Sequence, residues 1–169
     1  MIELDVVVAA GRWPEDGSLE RLAEAAADAA FAVTPEAPAD AVSATLLLTD
    51  DAAIRELNRL WRGQDKATNV LSFPAEMSAL LGEPRPLGDI ALAHETLARE
   101  AEEEGKSLPA HFAHLVVHGL LHLIGRDHAD SEEADAMERL EVAALARLGI
   151  ADPYGADARA RPGAFQPTP

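Results

Sequence analysis

The chain has 169 residues, of which 48% are hydrophobic, and its formal net charge at pH 7 is −16. This length and composition suit one globular domain with a real core. The absence of cysteine excludes a disulfide framework and leaves only nitrogen and oxygen ligands for any zinc ion. The acidic balance argues against a broad nucleic-acid-binding surface, because contacts with phosphate need Lys and Arg, so DNA is not an expected partner.

The first residues carry acidic side chains and lack the basic segment that is typical of a signal peptide. No apolar run in the sequence is long enough to span a bilayer. We therefore expect a cytoplasmic protein without a membrane partner.

Apolar periodicity and turn residues predict short strands and helices in alternation. In chain order the predicted elements are a strand over 2–8, a helix over 18–31, a strand over 42–48, a helix from 50 or 51 to 61, a strand over 70–73, a loop over 77–86, a strand over 88–92, and helices over 94–104, 107–124 and 131–148. The helix that ends at 61 is expected to bury an apolar stripe of Ile54, Leu57 and either Leu60 or Trp61.

These elements predict an α+β fold, a small mixed sheet of about four strands packed with helices, and a three-layer α/β/α arrangement is the alternative. Residues 1–150 are expected to form a single domain. Residues 151–169 contain Pro, Gly, Ala and Arg without apolar periodicity, which predicts a disordered tail.

Three histidines near the end of the longest apolar helix carry the clearest chemical signal. His118 and His122 are four residues apart and therefore share one helix face. Gly125 can adopt a positive φ and end the helix, so that the chain turns back and presents His128. Three imidazoles with an open fourth position are the usual form of a catalytic zinc site.

Other interpretations of the histidines remain open. A histidine on an apolar helix is often a satisfied core residue, and the same ligand set could hold a structural zinc in a non-catalytic RNA-binding module. The spacing is similar to the H-E-x-x-H pattern of zinc peptidases, but position 119 is Gly. The glutamate that serves as the general base in those enzymes is therefore missing, which disfavours a peptidase.

A second cluster, over residues 57–74, places polar side chains directly before a short buried strand. Arg62 could reach a cleft beside the histidines and hold a phosphate with two donors. Basic residues at helical spacing form one face of the preceding helix: Arg55, Arg59, Arg62 and Lys66. The alternative is a solvated helix face paired with Glu56, followed by a structural loop.

The motifs resemble those of the YbeY endoribonuclease family. Residues 118–128 match the pattern H-G-x-L-H-L-x-G-Y-D-H, with Arg126 at the position of the usual tyrosine. Residues 57–74 match the upstream pattern L-N-x-x-[YW]-R-x-x-D-x-x-T-[DN]-V-L-S-F-P, and residues 87–90 fit the strand between the two. Together these motifs cover most of residues 42–148 in the family's order.

The resemblance implies a bacterial, zinc-dependent endoribonuclease that is directed at single strands. It implies maturation of the 16S rRNA 3′ end and a part in ribosome quality control. The expected partners are rRNA and the small ribosomal subunit, with ribosomal proteins or a ribosome-assembly GTPase as further candidates. By resemblance, one Zn²⁺ per chain would be held by His118, His122 and His128, and Arg62 would be the residue tied to activity.

Further residues are candidates for the surroundings of the metal or for the substrate groove: His114, Asp127, Arg59, Lys66 and Ser72. Asp127 either orients a histidine or caps the turn that follows the helix. His114, one turn before the first ligand, is expected to border the site or the groove. His111 is expected to be exposed to solvent, and His94 to begin a helix without a chemical role.

Overall fold

The computed structural model describes residues 1–76 and 81–155. Within these residues the elements are β1 (Ile2–Val8), α1 (Ser18–Val33), β2 (Val42–Thr49), α2 (Asp51–Arg62), β3 (Val70–Pro74), β4 (Arg85–Ala93), α3 (His94–Glu103), α4 (Leu108–Ile124) and α5 (Ser131–Arg147). The order matches the sequence prediction. The main difference in bounds is that β4 begins at Arg85, inside the predicted loop over 77–86, of which residues 77–80 lie outside the described part.

The strands of the described residues form one four-stranded sheet in the order β1-β2-β4-β3. β1, β2 and β4 run parallel, and β3 pairs with β4 in the antiparallel sense. β1 and β3 are therefore the two edges of a small mixed sheet. The predicted α+β fold class is confirmed.

The two faces of the sheet are covered unequally. In β2, Leu46 and Leu48 join the main core with α1, α4 and α5, because alternate residues of a strand point to the same face. Leu47 points to the opposite face, where Ile54 of α2 and Leu71 of β3 belong to a much smaller cluster. Helices thus lie on both faces, but most of the buried apolar surface is on one side.

The helix α4 is the centre of the main core, and its residues from His111 to Leu121 are all buried. Its start is fixed by Ser107, whose Oγ accepts a hydrogen bond from the backbone N–H of Ala110 at 3.2 Å. Its end is fixed by Gly125, which has a φ of 108° and is followed by a turn back toward the helix. The predicted glycine stop therefore ends α4 just after the second histidine of the motif.

The predicted apolar stripe of α2 is wrong at its C-terminal end. Ile54 is buried and Leu57 is half-buried, but Leu60 and Trp61 have exposed fractions of 61% and 71%. The indole of Trp61 meets the edge of Phe73, at 6.2 Å between ring centroids, near the margin of the sheet. This end of α2 therefore stays largely exposed beside the thinly covered face of the sheet.

The structure describes residues 151–155, the first five residues of the predicted tail, and they pack against the domain. Pro153 is buried, and Tyr154 packs against the main core. The Tyr154 hydroxyl donates a hydrogen bond to the buried Glu141 of α5 at 2.6 Å. A single aromatic residue in a segment rich in Pro and Gly creates no periodicity, yet it can anchor the backbone. Residues 156–169 lie outside the described part.

Among the described residues, no single helix is long and apolar enough to cross a membrane. α3 and α4 pass that test only as a pair, and they are bent by 116° relative to one another.

Candidate metal centre

The side chains of His118, His122 and His128 converge at the C-terminal end of α4. One ring nitrogen from each of the three residues can be chosen so that all three nitrogens lie within 4.8 Å of one another. The Nε2 atoms of His118 and His122 are 3.0 Å apart, and two imidazoles on one zinc ion place their nitrogens roughly 3.3 Å apart. We call these three residues the histidine cluster.

His128, the third member of the histidine cluster, has a ring nitrogen whose surroundings favour the binding of a metal ion. The Nε2 atom of His128 is buried and has no hydrogen-bond partner among the described residues. A buried polar nitrogen without a partner costs free energy, which coordination of a metal ion would recover. The donor set is made of imidazole nitrogens alone, which suits zinc and also other transition metals.

The local electrostatics keep His122 ready to bind a cation. Burial, together with the neighbouring rings of His118 and His128, lowers the pKa of His122 to about 4. At neutral pH the imidazole is therefore uncharged, and the lone pair of one nitrogen is available to a metal ion.

A buried carboxylate that the sequence analysis did not identify lies behind His118. Glu141 of α5 accepts a hydrogen bond from Nδ1 of His118 at 2.6 Å, and both side chains are 1% exposed. Burial alone would raise the pKa of Glu141, but the hydrogen bonds with His114 and His118 hold the pKa well below its ordinary value. Because an ionised carboxylate can only accept, Nδ1 of His118 carries a hydrogen, and Nε2 is the nitrogen that faces the cluster.

His114 lies deeper in the molecule than predicted. It is buried, and its Nε2 is 3.1 Å from the Tyr154 hydroxyl oxygen and 3.4 Å from Oε2 of Glu141. Burial lowers its pKa. His114 is not a member of the histidine cluster, and its contact with Glu141 links it to the site.

The predicted exposure of His111 is wrong, since its side chain is fully buried. Its Nε2 lies 3.6 Å from Oε1 of Glu100 on α3. His94 begins α3 as predicted, and its ring meets the edge of Trp13 at 5.0 Å between centroids.

Asp127 stabilises the turn that presents His128. Its Oδ1 accepts a hydrogen bond from the backbone N–H of His128 at 2.7 Å. The same oxygen is 3.9 Å from Nδ1 of His128, which is too long for a hydrogen bond. Of the two roles considered for Asp127, the geometry favours the capping of the turn.

Arg62 reaches the outer edge of the sheet beside the helix that carries the histidines. Its Nη2 donates to the backbone carbonyl of Ser72 in β3 at 2.8 Å, and its guanidinium lies 6.0 Å from the centre of the Phe73 ring. Ser72 is buried, and its Oγ donates to the carbonyl of Gly119, next to His118, at 3.4 Å. Strand β3 thus connects the exposed Arg62 side chain to the turn of α4 that holds the first ligand of the cluster.

The other basic residues of α2 are paired with acids or lie in the loop that follows. Arg59 forms an ion pair with Glu56, and Nε of Arg55 is 2.8 Å from Oδ1 of Asp65. The hydrogen bond and charge of Arg55 lower the pKa of Asp65. These pairs fit the alternative of a solvated helix face, and Arg59, one of the candidates for the substrate groove, is among the paired residues.

Lys66 contributes its backbone to the structure of the loop before β3. Its carbonyl accepts a hydrogen bond from Nδ2 of the buried Asn58 at 3.0 Å, while its side chain is exposed. Arg126, which occupies the family's tyrosine position, is bound to Glu36 at 2.6 Å. It therefore points to the loop after α1.

Comparison with known proteins identifies relatives over nearly the whole chain. A family model described as Endoribonuclease YbeY matches residues 14–149. Endoribonuclease YbeY of Rhizobium meliloti (strain 1021) is 52% identical over 162 residues, which cover 91% of this chain and 95% of the relative. Endoribonuclease YbeY of Erythrobacter litoralis (strain HTCC2594) is 55% identical over 150 residues, covering 85% and 92%.

A solved structure shares the fold. The solution structure of TM1509 from Thermotoga maritima superposes with a TM-score of 0.55 at 22% identity, and the match covers 87% of this chain and 92% of that one. The family model and the relatives at about 50% sequence identity agree with the order of motifs and elements. This chain therefore belongs to the YbeY endoribonuclease family.

Proposed function

We propose that this chain is a zinc-dependent, single-strand-specific endoribonuclease of the cytoplasm, active in maturation of the 16S rRNA 3′ end and in ribosome quality control. The observation that carries the proposal is the convergence of His118, His122 and His128, with one buried nitrogen left without a partner. Family membership supplies the endoribonuclease activity. Residues 1–150 would form the single functional domain.

The three imidazoles of the histidine cluster would hold one zinc ion per chain. When bound there, zinc supplies a Lewis acid that can act on a phosphodiester at neutral pH. The low pKa of His122 keeps this ligand deprotonated. The hydrogen bond from His118 to Glu141 fixes which nitrogen of His118 faces the cluster.

Arg62 would bind the phosphate and offset the charge that develops on it during cleavage. One of its donors is committed to the Ser72 carbonyl, and a guanidinium has five N–H donors. The anchored side chain can therefore keep its position while other donors contact the substrate. The link from Ser72 to Gly119 ties the position of Arg62 to that of α4.

A zinc peptidase is disfavoured by the packing at position 119, where the peptidase pattern has its glutamate. An added Cβ at Gly119 would lie 2.9 Å from Cγ2 and 3.0 Å from Cδ1 of Ile90 in β4. The helix and the sheet are too close for a longer side chain. A purely structural zinc is disfavoured because the cluster offers three ligands, whereas closed structural sites use four.

The net charge of −16 makes strong binding to free RNA unfavourable. We therefore expect the enzyme to act on rRNA within the small ribosomal subunit, where ribosomal proteins or an assembly GTPase help to hold it. A narrow site with one arginine and one metal ion also needs a backbone that can bend, which an A-form duplex does not offer.

The proposal is tested with two RNA substrates in the presence of zinc. One is a hairpin with a single-stranded 3′ extension, and the other is a blunt duplex of the same sequence. We expect cleavage only in the extension, weak affinity, and loss of binding as salt increases. Equal cleavage of both substrates would overturn the single-strand specificity, and full cleavage in excess chelator would overturn the metal dependence.

A further inference from the structure

Glu141 is a buried carboxylate whose two oxygens contact different partners. Oε1 is 2.6 Å from Nδ1 of the cluster residue His118. Oε2 accepts from the Tyr154 hydroxyl at 2.6 Å. The carboxylate is therefore fixed from both sides, with one oxygen committed to the histidine cluster.

The contact between Glu141 and His118 is directed at the side of the ring opposite the cluster. Nδ1 binds the carboxylate, while Nε2 of the same ring lies 3.0 Å from Nε2 of His122. In metalloproteins, a carboxylate on the outer nitrogen of a ligating histidine fixes its tautomer and ring orientation and raises its basicity. His118 has this arrangement: its outer nitrogen binds a carboxylate, and its other nitrogen faces the histidine cluster.

Tyr154 extends this arrangement beyond the part of the chain that the family model matches, which ends at residue 149. Its hydroxyl donates to Oε2 of Glu141 and lies 3.1 Å from Nε2 of His114. A hydroxyl can donate one hydrogen bond and accept others, so Tyr154 can connect the two side chains. The segment after α5 thereby contributes to the support of the histidine cluster.

We propose that Glu141 is a positioning residue that orients His118 for metal binding, and that Tyr154 holds Glu141 in the required position. This inference rests on the metal site proposed above. It predicts that the strength of metal binding depends on residues that do not touch the metal. The effect of Glu141 is direct, through His118, and that of Tyr154 is indirect and smaller.

The test is the affinity for Zn²⁺, measured by competition with a chromophoric chelator, for the full chain and four variants. Glu141→Ala removes the acceptor, and we expect the affinity to fall by about 10–100-fold. Glu141→Gln keeps the shape and one acceptor but removes the charge, so a smaller loss is expected. Tyr154→Phe removes only the hydroxyl and should cost least. Glu132→Gln, an exposed change in the first turn of the same helix, is the matched control and should leave the affinity unchanged.

A purely structural role for Glu141 would lower the melting temperature without changing the metal site. The second readout is therefore the visible absorption spectrum of the Co²⁺-substituted protein, together with the tautomer of His118 from ¹⁵N NMR. We expect both to change in Glu141→Gln and to stay as in the unmodified chain in Glu132→Gln.

The outcomes separate the two proposals. If the unmodified chain binds Zn²⁺ and folded Glu141→Gln binds it equally well with an unchanged His118 tautomer, the positioning role is overturned while the metal site stands. If Glu141→Ala does not fold, the shape-conserving Gln variant decides the question. If the unmodified chain binds no Zn²⁺, both the metal-dependent function and this inference fail.

Discussion

The histidine cluster and the arginine-bearing end of α2 are held in opposite ways. His118 is 1% exposed, and its outer nitrogen is fixed by a carboxylate that is itself buried. Arg62 lies on the surface, where it donates a hydrogen bond to the backbone carbonyl of Ser72 and lies over the ring of Phe73. The first arrangement sets the positions of the donors before any ligand arrives, whereas the second leaves several donors facing solvent.

This difference corresponds to what each region would bind. A metal ion demands fixed distances and directions, which buried hydrogen bonds supply. A phosphate on a flexible RNA strand arrives in many orientations, and an exposed guanidinium on one anchor can adapt to it. The contrast predicts that changes in the cluster act on metal binding and stability, and that changes at Arg62 act on substrate cleavage alone.

The largest expected effect comes from breaking the cluster itself. The double variant His122→Ala/His128→Ala leaves one imidazole, which cannot retain a zinc ion at micromolar concentration. We expect its metal content to fall from one ion per chain to nearly none, and RNA cleavage to fall to the level of the metal-free protein. Elemental analysis after dialysis and a cleavage assay measure both. His94→Gln, at the start of α3, is the control, and unchanged metal content in the double variant would refute the assignment of the ligands.

The second effect separates Arg62 from the cluster. Arg62→Ala should lower cleavage by about 100-fold, the cost of removing one donor to a developing charge, with metal content unchanged. Arg62→Lys should recover only part of the activity, because an ammonium group cannot make a planar two-point contact. Arg59→Ala is the matched control on the same helix, since Arg59 is already paired with Glu56. Full activity in Arg62→Ala would remove it from the mechanism.

The sequence predicts the histidine cluster because the information is local. An i, i+4 pair and a glycine stop determine how His118, His122 and His128 approach one another, with little help from the rest of the fold. Glu141 is 23 residues from His118 along the chain, so only the packing of α5 against α4 brings them together. A signal does exist: Glu141 follows the buried Met137 by four residues and is therefore an acid on an inward helix face.

Burial was the least predictable property of the individual side chains. Trp61 continues the apolar stripe of α2, but periodicity cannot tell whether another element covers that stripe, and here the sheet does not. His111 is polar, which predicts a position at the surface, yet it lies in the stretch of α4 whose residues are all buried. Both errors concern tertiary packing, which a pattern within one element does not encode.

The third effect tests the close approach of β4 to β3, the strand that connects Arg62 to α4. Gly88 in β4 has a φ of 144°, and an added Cβ would lie 2.2 Å from the carbonyl oxygen of Phe73 and 2.9 Å from Cδ2 of Leu123. Gly88→Ala should therefore lower the free energy of unfolding by about 1–3 kcal/mol or more, since backbone atoms must move. Gly82→Ala is the control, because Gly82 also has a positive φ but no atom of the described residues lies within 4 Å of an added Cβ. Urea unfolding measures both, and equal losses would show that conformational strain, not the close approach, dominates.

The smallest expected effect is a pH dependence that belongs to the cluster and not to α2. The folded protein lowers the pKa of His122 from 6.5 to about 4, so between these values the unfolded chain binds a proton that the folded chain does not. The stability of the metal-free protein should therefore fall as the pH is lowered from about 6.5 to about 4. His114, whose pKa is also lowered by burial, acts in the same direction. On α2, the pKa of Glu56 is lowered from 4.5 by its pairing with Arg59, so its contribution is lost only at more acidic pH.

Unfolding in urea with a chelator present, at several pH values between 7 and 4.5, measures this slope. His122→Asn should flatten it, because the residue that takes up the proton in the unfolded state is gone, while Glu56→Gln should leave it unchanged. If His122→Asn and the unmodified chain lose stability in parallel over this range, the uncharged state of His122 does not depend on folding. The cluster would then be no better prepared for a metal ion than histidines on an exposed helix.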